Sequence, residues 1–306
     1  MLAWLRLVRL PNLATAAADS LAGFLVVSRL TTIDWPPASC GLAVLASVAF
    51  YAAGVVLNDV CDLALDRAER PERPLPSGAI DPRFAALAGS VLMAIGAAAA
   101  CGAALATQSP WPALVGAAMT VAIWLYDRHA KATPAGPVVM GACRALNWLL
   151  GMTAAGGPAA PWQWAIPAGM AIYVAGITLV ARDEATRSRR AAVATGGAAM
   201  AVGLAVTAGY VWGPTLLKGI VRTASLPATT WLACWGLLAA SILVRVAQAV
   251  ADPSAGRVRA AVGNAIMSLI TLDAVLVLAA CGERWALVVI TLVAWFLLGR
   301  RLVSPT

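Results

Sequence analysis

Residues 58–80 read NDVCDLALDRAERPERPLPSGAI, the one long, heavily charged stretch in an otherwise apolar chain. Its first nine residues hold four acids or amides: Asn58, Asp59, Asp62 and Asp66. Asn58, Asp62 and Asp66 are spaced by four and Asp59 stands three before Asp62, so a helix running past Leu57 would place them on one face. Acids crowded on one helix face repel by roughly 0.2–0.5 kcal/mol per i,i+4 pair. A divalent cation removes that repulsion, because Mg2+ takes one or two carboxylates and completes its shell with water and phosphate oxygens. Arg67, Arg70 and Arg73 follow at once, and their forked guanidinium groups suit the same phosphates. Acids for a metal beside arginines for an anion make a diphosphate site, an order of residues that a merely solvated loop does not require.

The chain around this stretch is a membrane protein by composition. It is 61% hydrophobic and only 12% charged over 306 residues, with a mean hydropathy of +0.82, too apolar for a soluble domain of that length. At about 20 residues per span, the length accommodates roughly nine or ten helices. That leaves no room for a separate soluble domain, so residues 1–306 are expected to form one all-α, multi-pass bundle. The net charge of +8 reads as a basic cytoplasmic face rather than a nucleic-acid partner. Six cysteines without a CxxC read as small apolar residues, and His129 is the only histidine.

Ten apolar stretches are expected to be helical: 11–28, 37–57, 83–106, 111–126, 136–156, 162–181, 191–212, 229–250, 259–280 and 285–299. Pro11, Asn12 and Asp19 interrupt the first one, which argues against a cleaved signal sequence. With the N-terminus in the cytoplasm, alternation of the spans puts sixteen of the Lys and Arg residues inside, including Arg6, Arg9, Arg73 and Lys131, against four outside, as the positive-inside rule asks. The charged loops 58–82, 127–135, 182–190 and 251–258 then share the cytoplasmic face, within the inner membrane if the source is bacterial. Trp35, Trp111, Trp162, Trp164, Trp212, Trp231 and Trp285 fall near the opposite span ends and read as an interfacial belt.

Asn58 to Asp66 followed by Arg70-Pro71, Arg73-Pro74-Leu75-x-Ser77-Gly78 resembles the first aspartate-rich motif of the UbiA-type integral-membrane prenyltransferases, the 4-hydroxybenzoate polyprenyltransferase superfamily. The resemblance implies a membrane enzyme that transfers an isoprenyl group from a prenyl diphosphate to a small, often aromatic acceptor and releases diphosphate. It implies Mg2+ held by Asn58, Asp59, Asp62 and Asp66, and by Asp183 and Glu184 of a second acidic motif. Arg70 and Arg73 would grip the diphosphate. Tyr126 and Lys131, in YDRHAK, match a tyrosine and a lysine that recur in the family, with Lys131 another diphosphate partner. The second motif departs from the family's DxxxD, since Arg187 stands four after Asp183. Either Asp183 and Glu184 suffice for a second metal, or Arg187 replaces it as a fixed charge. The wording of this segment is more similar to the EboC-like branch than to the ubiquinone or menaquinone enzymes.

Polar residues inside spans are costly in lipid and are functional candidates. Arg144 and Asn147 lie one turn apart, and with Arg9 and Asn12 they are expected to line the acceptor side of a pocket. Arg245 and Asp273 are expected to neutralise each other, and Asp19 to pair with an arginine. A protein that binds or transports polyprenyl diphosphates without chemistry is the alternative reading, since buried charges suit it too.

Overall fold

The structure, a computed structural model, describes residues 2–30, 36–182, 188–218 and 226–303, with side chains of the long ninth helix described as far as residue 212. It is all-helical among the described residues. The order is α1 Leu2–Leu7, α2 Leu10–Ser28, α3 Ala38–Cys61, α4 Leu63–Glu69, α5 Pro82–Thr107, α6 Trp111–Leu125, α7 Gly136–Ala154, α8 Ala165–Ala181, α9 Arg190–Lys218, α10 Ala228–Ala251, α11 Ala255–Cys281 and α12 Glu283–Leu302. A π turn, Tyr126–Ala130, continues α6, and a 3-10 turn, Pro161–Trp164, opens α8. Each of the ten apolar stretches is a helix, α2, α3 and α5 to α12. Helices are what an apolar chain in lipid must form, because no water is there to satisfy an open backbone.

Among the described residues, eight helices are long and apolar enough to cross a membrane, which makes the chain an integral, multi-pass membrane protein. Of the ten, α6 is short at 15 residues and α7 carries Arg144 and Asn147, so neither is among the eight. Leu105, Leu237 and Trp295 stand out from the bundle at 80%, 74% and 66% exposure, where lipid replaces water as their solvent.

The spanning helices run in a closed circuit in which each packs on the next from α5 to α12, α12 returns to α2, and α2 and α3 complete the ring to α5. Helix α2 also crosses the middle to reach α7 and α11. Close approach there depends on missing side chains: a Cβ on Gly151 of α7 would collide with the Ser20 carbonyl of α2, and one on Gly176 of α8 would lie 2.6 Å from the Gly196 carbonyl of α9. Small residues at helix crossings are how membrane helices gain packing without a hydrophobic drive.

Two expectations need correction. Trp231 is fully buried and stacked on Trp235 with ring centroids 5.2 Å apart, and its indole donates to the Val275 carbonyl at 2.6 Å. Trp285 is also buried, so these two belong to the core and not to an aromatic belt. Arg245 is exposed on α10, whereas Asp273 is sealed in the interior against Asp19 and Arg144. Helical phase decides it: Ile242, Val246 and Ala249 hold the inner stripe of α10, and Arg245 falls off it.

Candidate active site

The charged stretch folds as a hinge and a compact turn. Helix α3 ends at Cys61, Asp62 breaks the regular backbone, and α4 restarts at Leu63, yet the amides of Asp62 and Asp66 still bond back to Asn58 and Asp62 at 2.9 and 2.8 Å. The turn that follows is built by the RPLPSG sequence. Ser77 and Gly78 donate to the carbonyls of Arg73 and Leu75 at 3.0 and 3.1 Å, and Gly78 sits at φ +75°, a left-handed conformation that glycine adopts at least cost. Leu75 and Ile80 anchor this turn in a small apolar cluster with Leu7, Val56 and Ala85. Arg73 is thereby delivered over the acids from a buried base.

The four acid or amide positions fall on two stripes, not one face. Asp59 and Asp66, two turns apart, are both buried and both face Arg73, whose guanidinium lies 2.8 Å from Asp66 and 3.8 Å from Asp59. Arg9 reaches Asp59 from the other side at 3.3 Å, from a backbone held at φ 48° just before Leu10 opens α2. Asn58 and Asp62 instead face the π turn. Lys131 pairs with Asp62, and the Asn58 amide donates to Asp127 at 3.0 Å. The hinge at Asp62 and the placement of the cations, two on one side and one on the other, separate the stripes.

Asp127 is the residue that sequence reasoning passed over. It is buried, and its second carboxylate oxygen has no hydrogen-bond partner. Burial pushes its carboxyl up to about 6, with the hydrogen bond from Asn58 working the other way. An acid next to Tyr126, four before Lys131, was the available signal.

Beneath these charges lies a cavity of about 410 Å³ between α2, α3, α6, α7, α8 and α11. Arg9, Asn12, Asn58, Tyr126 and Asp127 line it at the charged end, and Arg144 and Asn147 are also in its wall. Most of the rest is apolar, including Phe50, Met119, Ile177 and Leu269. Asp19, fully buried behind that wall, pairs with Arg144 at 2.6 Å and accepts from the Asn147 amide at 2.9 Å. Of the other sequence-derived site residues, Arg70 is half-buried at the end of α4, outside the cavity lining. Asp183, Glu184 and Arg187 lie outside the described residues. Their flank is placed: Arg182 donates to the Ala132 carbonyl at 3.1 Å, one residue from Lys131.

No three acids converge on a ready-made cage among the described residues. The donors nevertheless fit Mg2+, which is hard, prefers oxygen, and needs only one or two carboxylates when substrate phosphates complete its shell. The partly exposed Asp62 (23% for its side chain) is an acceptor of that kind, and the orphaned oxygen of Asp127 can take a hydrogen bond from a water of the ion's shell.

A model of the UbiA prenyltransferase family matches residues 20–270. The chain belongs to that family. Relatives named digeranylgeranylglyceryl phosphate synthase include one from Halobacterium salinarum, 30% identical over 229 residues, or 72% of this chain and 79% of the relative. Another, from Metallosphaera sedula, is 34% identical over 149 residues, 48% of this chain and 50% of the relative. The UbiA fold is shared with an apo homologue from Aeropyrum pernix K1, with a TM-score of 0.65 at 20% identity over 87% of this chain and 97% of that one. It is shared also with a homologue from Archaeoglobus fulgidus bound to DMAPP and Mg2+, with a TM-score of 0.63 at 13% identity over 94% and 99%.

Proposed function

We propose that this single-domain UbiA-family chain is a Mg2+-dependent prenyltransferase. Its diphosphate site is the cytoplasmic end of the bundle around Asp59, Asp62, Asp66 and Lys131, and its prenyl group lies in the apolar cavity below. The observation that carries this reading is the mutual pairing of the site's acids and cations: Arg9 and Arg73 with Asp59, Arg73 with Asp66, Lys131 with Asp62. A magnesium diphosphate is a complex of those same two charge types, so it can replace each pair with a matching partner.

Asn58, Asp59, Asp62 and Asp66 would hold the metal, with Asp183 and Glu184 as candidates from the second motif. Magnesium supplies Lewis acidity toward the diphosphate oxygens when it is bound. Arg73, Arg9 and Lys131, released from their acids, take up the negative charge that grows on the leaving diphosphate, with Arg70 and Arg187 in reserve along the same loops. The bond that breaks joins the allylic C1 to the diphosphate oxygen, and the electron pair leaves with that oxygen. Apolar walls such as Phe50 and Ile177 keep water from the allylic cation. The acceptor's nucleophilic atom then bonds to C1 and loses its proton. Arg144 and Asn147, in the wall, read that acceptor. The names of the relatives favour a glyceryl-phosphate acceptor over an aromatic one.

The test is diphosphate release by the purified protein in lipid nanodiscs from geranylgeranyl diphosphate with a geranylgeranylglyceryl phosphate or aromatic acceptor. Mg2+-dependent release, lost in Asp62→Ala, is expected. Mg2+-dependent binding with no release across both acceptor classes would instead make the chain a polyprenyl-diphosphate carrier.

A further inference from the structure

Two rungs join α3 to the π turn. Asn58 in the last turn of α3 and Asp62 just past its end stand four apart, Asp127 in the π turn and Lys131 just past its end stand four apart, and each member of the first pair bonds the corresponding member of the second. The closing bond of the turn runs from the Lys131 amide to the Tyr126 carbonyl, five residues back, at 3.1 Å. π turns inside α-helices are found frequently at functional sites.

The two rungs differ chemically. Lys131 and Asp62 are opposite charges, partly exposed at 23% each, and can part when other charges arrive. The other rung is a neutral amide held by a buried carboxylate. The Asn58 amide nitrogen donates to the Asp127 carboxylate at 3.0 Å, so the amide turns its NH2 toward Asp127. Its own oxygen, the only metal-ligating atom of Asn58, is thereby fixed on the side away from Asp127. The remaining Asp127 oxygen is buried without a partner, and a water on the metal would satisfy it.

We propose that Asp127 is a positioning residue: it locks the Asn58 amide with its oxygen directed to the metal, and so sets metal affinity without ligating the ion itself. This deepens the magnesium reading of the site and rests on it. Outer carboxylates that orient a ligand are typically worth about 10–100-fold in metal affinity.

The experiment is Mn2+ binding followed by electron paramagnetic resonance on the purified protein with inorganic diphosphate, for wild type, Asp127→Leu, Asp127→Asn and Asn58→Ala, together with the Asn58→Ala/Asp127→Leu double variant. Asp127→Leu is expected to weaken Mn2+ by about 10–100-fold, and to raise the Mg2+ needed for half-maximal turnover by a similar factor while saturating Mg2+ restores most of the rate. Asp127→Asn keeps an acceptor oxygen for the Asn58 amide and is expected to stay within about threefold of wild type. In the Asn58→Ala background the Asp127→Leu change is expected to add little, since coupled positions are non-additive. Unchanged Mn2+ affinity in Asp127→Leu, equal losses in the Leu and Asn variants, or additive losses in the double variant would each overturn the proposal. If Asp127→Leu does not fold, Asp127→Ala takes its place in every comparison. Absence of Mn2+ binding in the wild type would instead remove the magnesium reading itself, and with it this inference.

Discussion

The molecule holds two ionic clusters that look alike on paper and differ in kind. At the end of the bundle, Asp59, Asp62 and Asp66 each have a cation, and two of the three cations are open to the outside: Arg9 is 43% exposed and Lys131 23%, whereas Arg73 is 13%. In the interior, Asp19 of α2, Arg144 and Asn147 of α7 and Asp273 of α11 form a cluster with two acids to one base, in which Asp19 and Asp273 are fully sealed. Exposed pairs are each worth about 0–1 kcal/mol and can be exchanged. Sealed ones cannot, because breaking one leaves a charge in a medium that does not solvate it. The outer cluster is therefore built to trade partners and the inner one to hold three helices together, with Arg144 and Asn147 turned to the cavity as a consequence.

The largest expected effect tests the outer cluster. Asp62→Ala should reduce prenyl transfer by at least about 100-fold in a diphosphate-release assay, a scale typical for loss of a group that stabilises a transition state. Its melting temperature should hold, because the pair it breaks is partly exposed. A melting shift as large as that of an inner-cluster variant would erase the distinction. Next comes the inner cluster: Asp19→Ala, which breaks the sealed pair with Arg144 and the bond from Asn147, should cost about 3–5 kcal/mol, read from denaturant unfolding in detergent. A cost under about 1 kcal/mol would show the two clusters to be equivalent. Arg73→Ala removes two outer pairs and should raise the KM for the prenyl diphosphate by roughly 10-fold or more, since charge-assisted bonds contribute about 1.5–3 kcal/mol, and because it leaves the buried Asp66 without its cation it should lower the melting temperature more than Asp62→Ala does. The smallest effect is structural support for the outer cluster. Gly78→Ala meets no neighbouring atom but must adopt φ +75°, so it should cost about 1 kcal/mol, read from the melting temperature.

Much of this was legible without coordinates. Ten apolar stretches predicted ten helices, because a backbone in lipid has no alternative to internal hydrogen bonds. The order of acids, Arg-Pro pairs and Ser-Gly pointed to one charged cluster, and Asp59, Asp62, Asp66, Arg73 and Lys131 do pair in it. Asp127 was passed over, although an acid beside Tyr126 and four before Lys131 was a partial signal. Its importance lies in facing Asn58 across 69 residues of chain, and its neighbours in sequence, Tyr126 and Arg128, say nothing of that. The pairing of Asp273 was misassigned for the same reason: Arg245 was a plausible partner by type, but its helical phase turns it outward, and the charged neighbours of Asp273 are Asp19 and Arg144, from α2 and α7.

The sequence by itself determined that this chain crosses a membrane many times and carries acids and cations suited to a metal diphosphate, because hydropathy and local charge order are properties of neighbouring residues. Only the tertiary structure decided which acid meets which cation, that the acids divide into two stripes at the Asp62 hinge, and that a second ionic cluster is sealed inside. Those facts depend on where separate helices come to rest against one another, and side-chain packing between distant segments sets that, not the order of residues within any one of them.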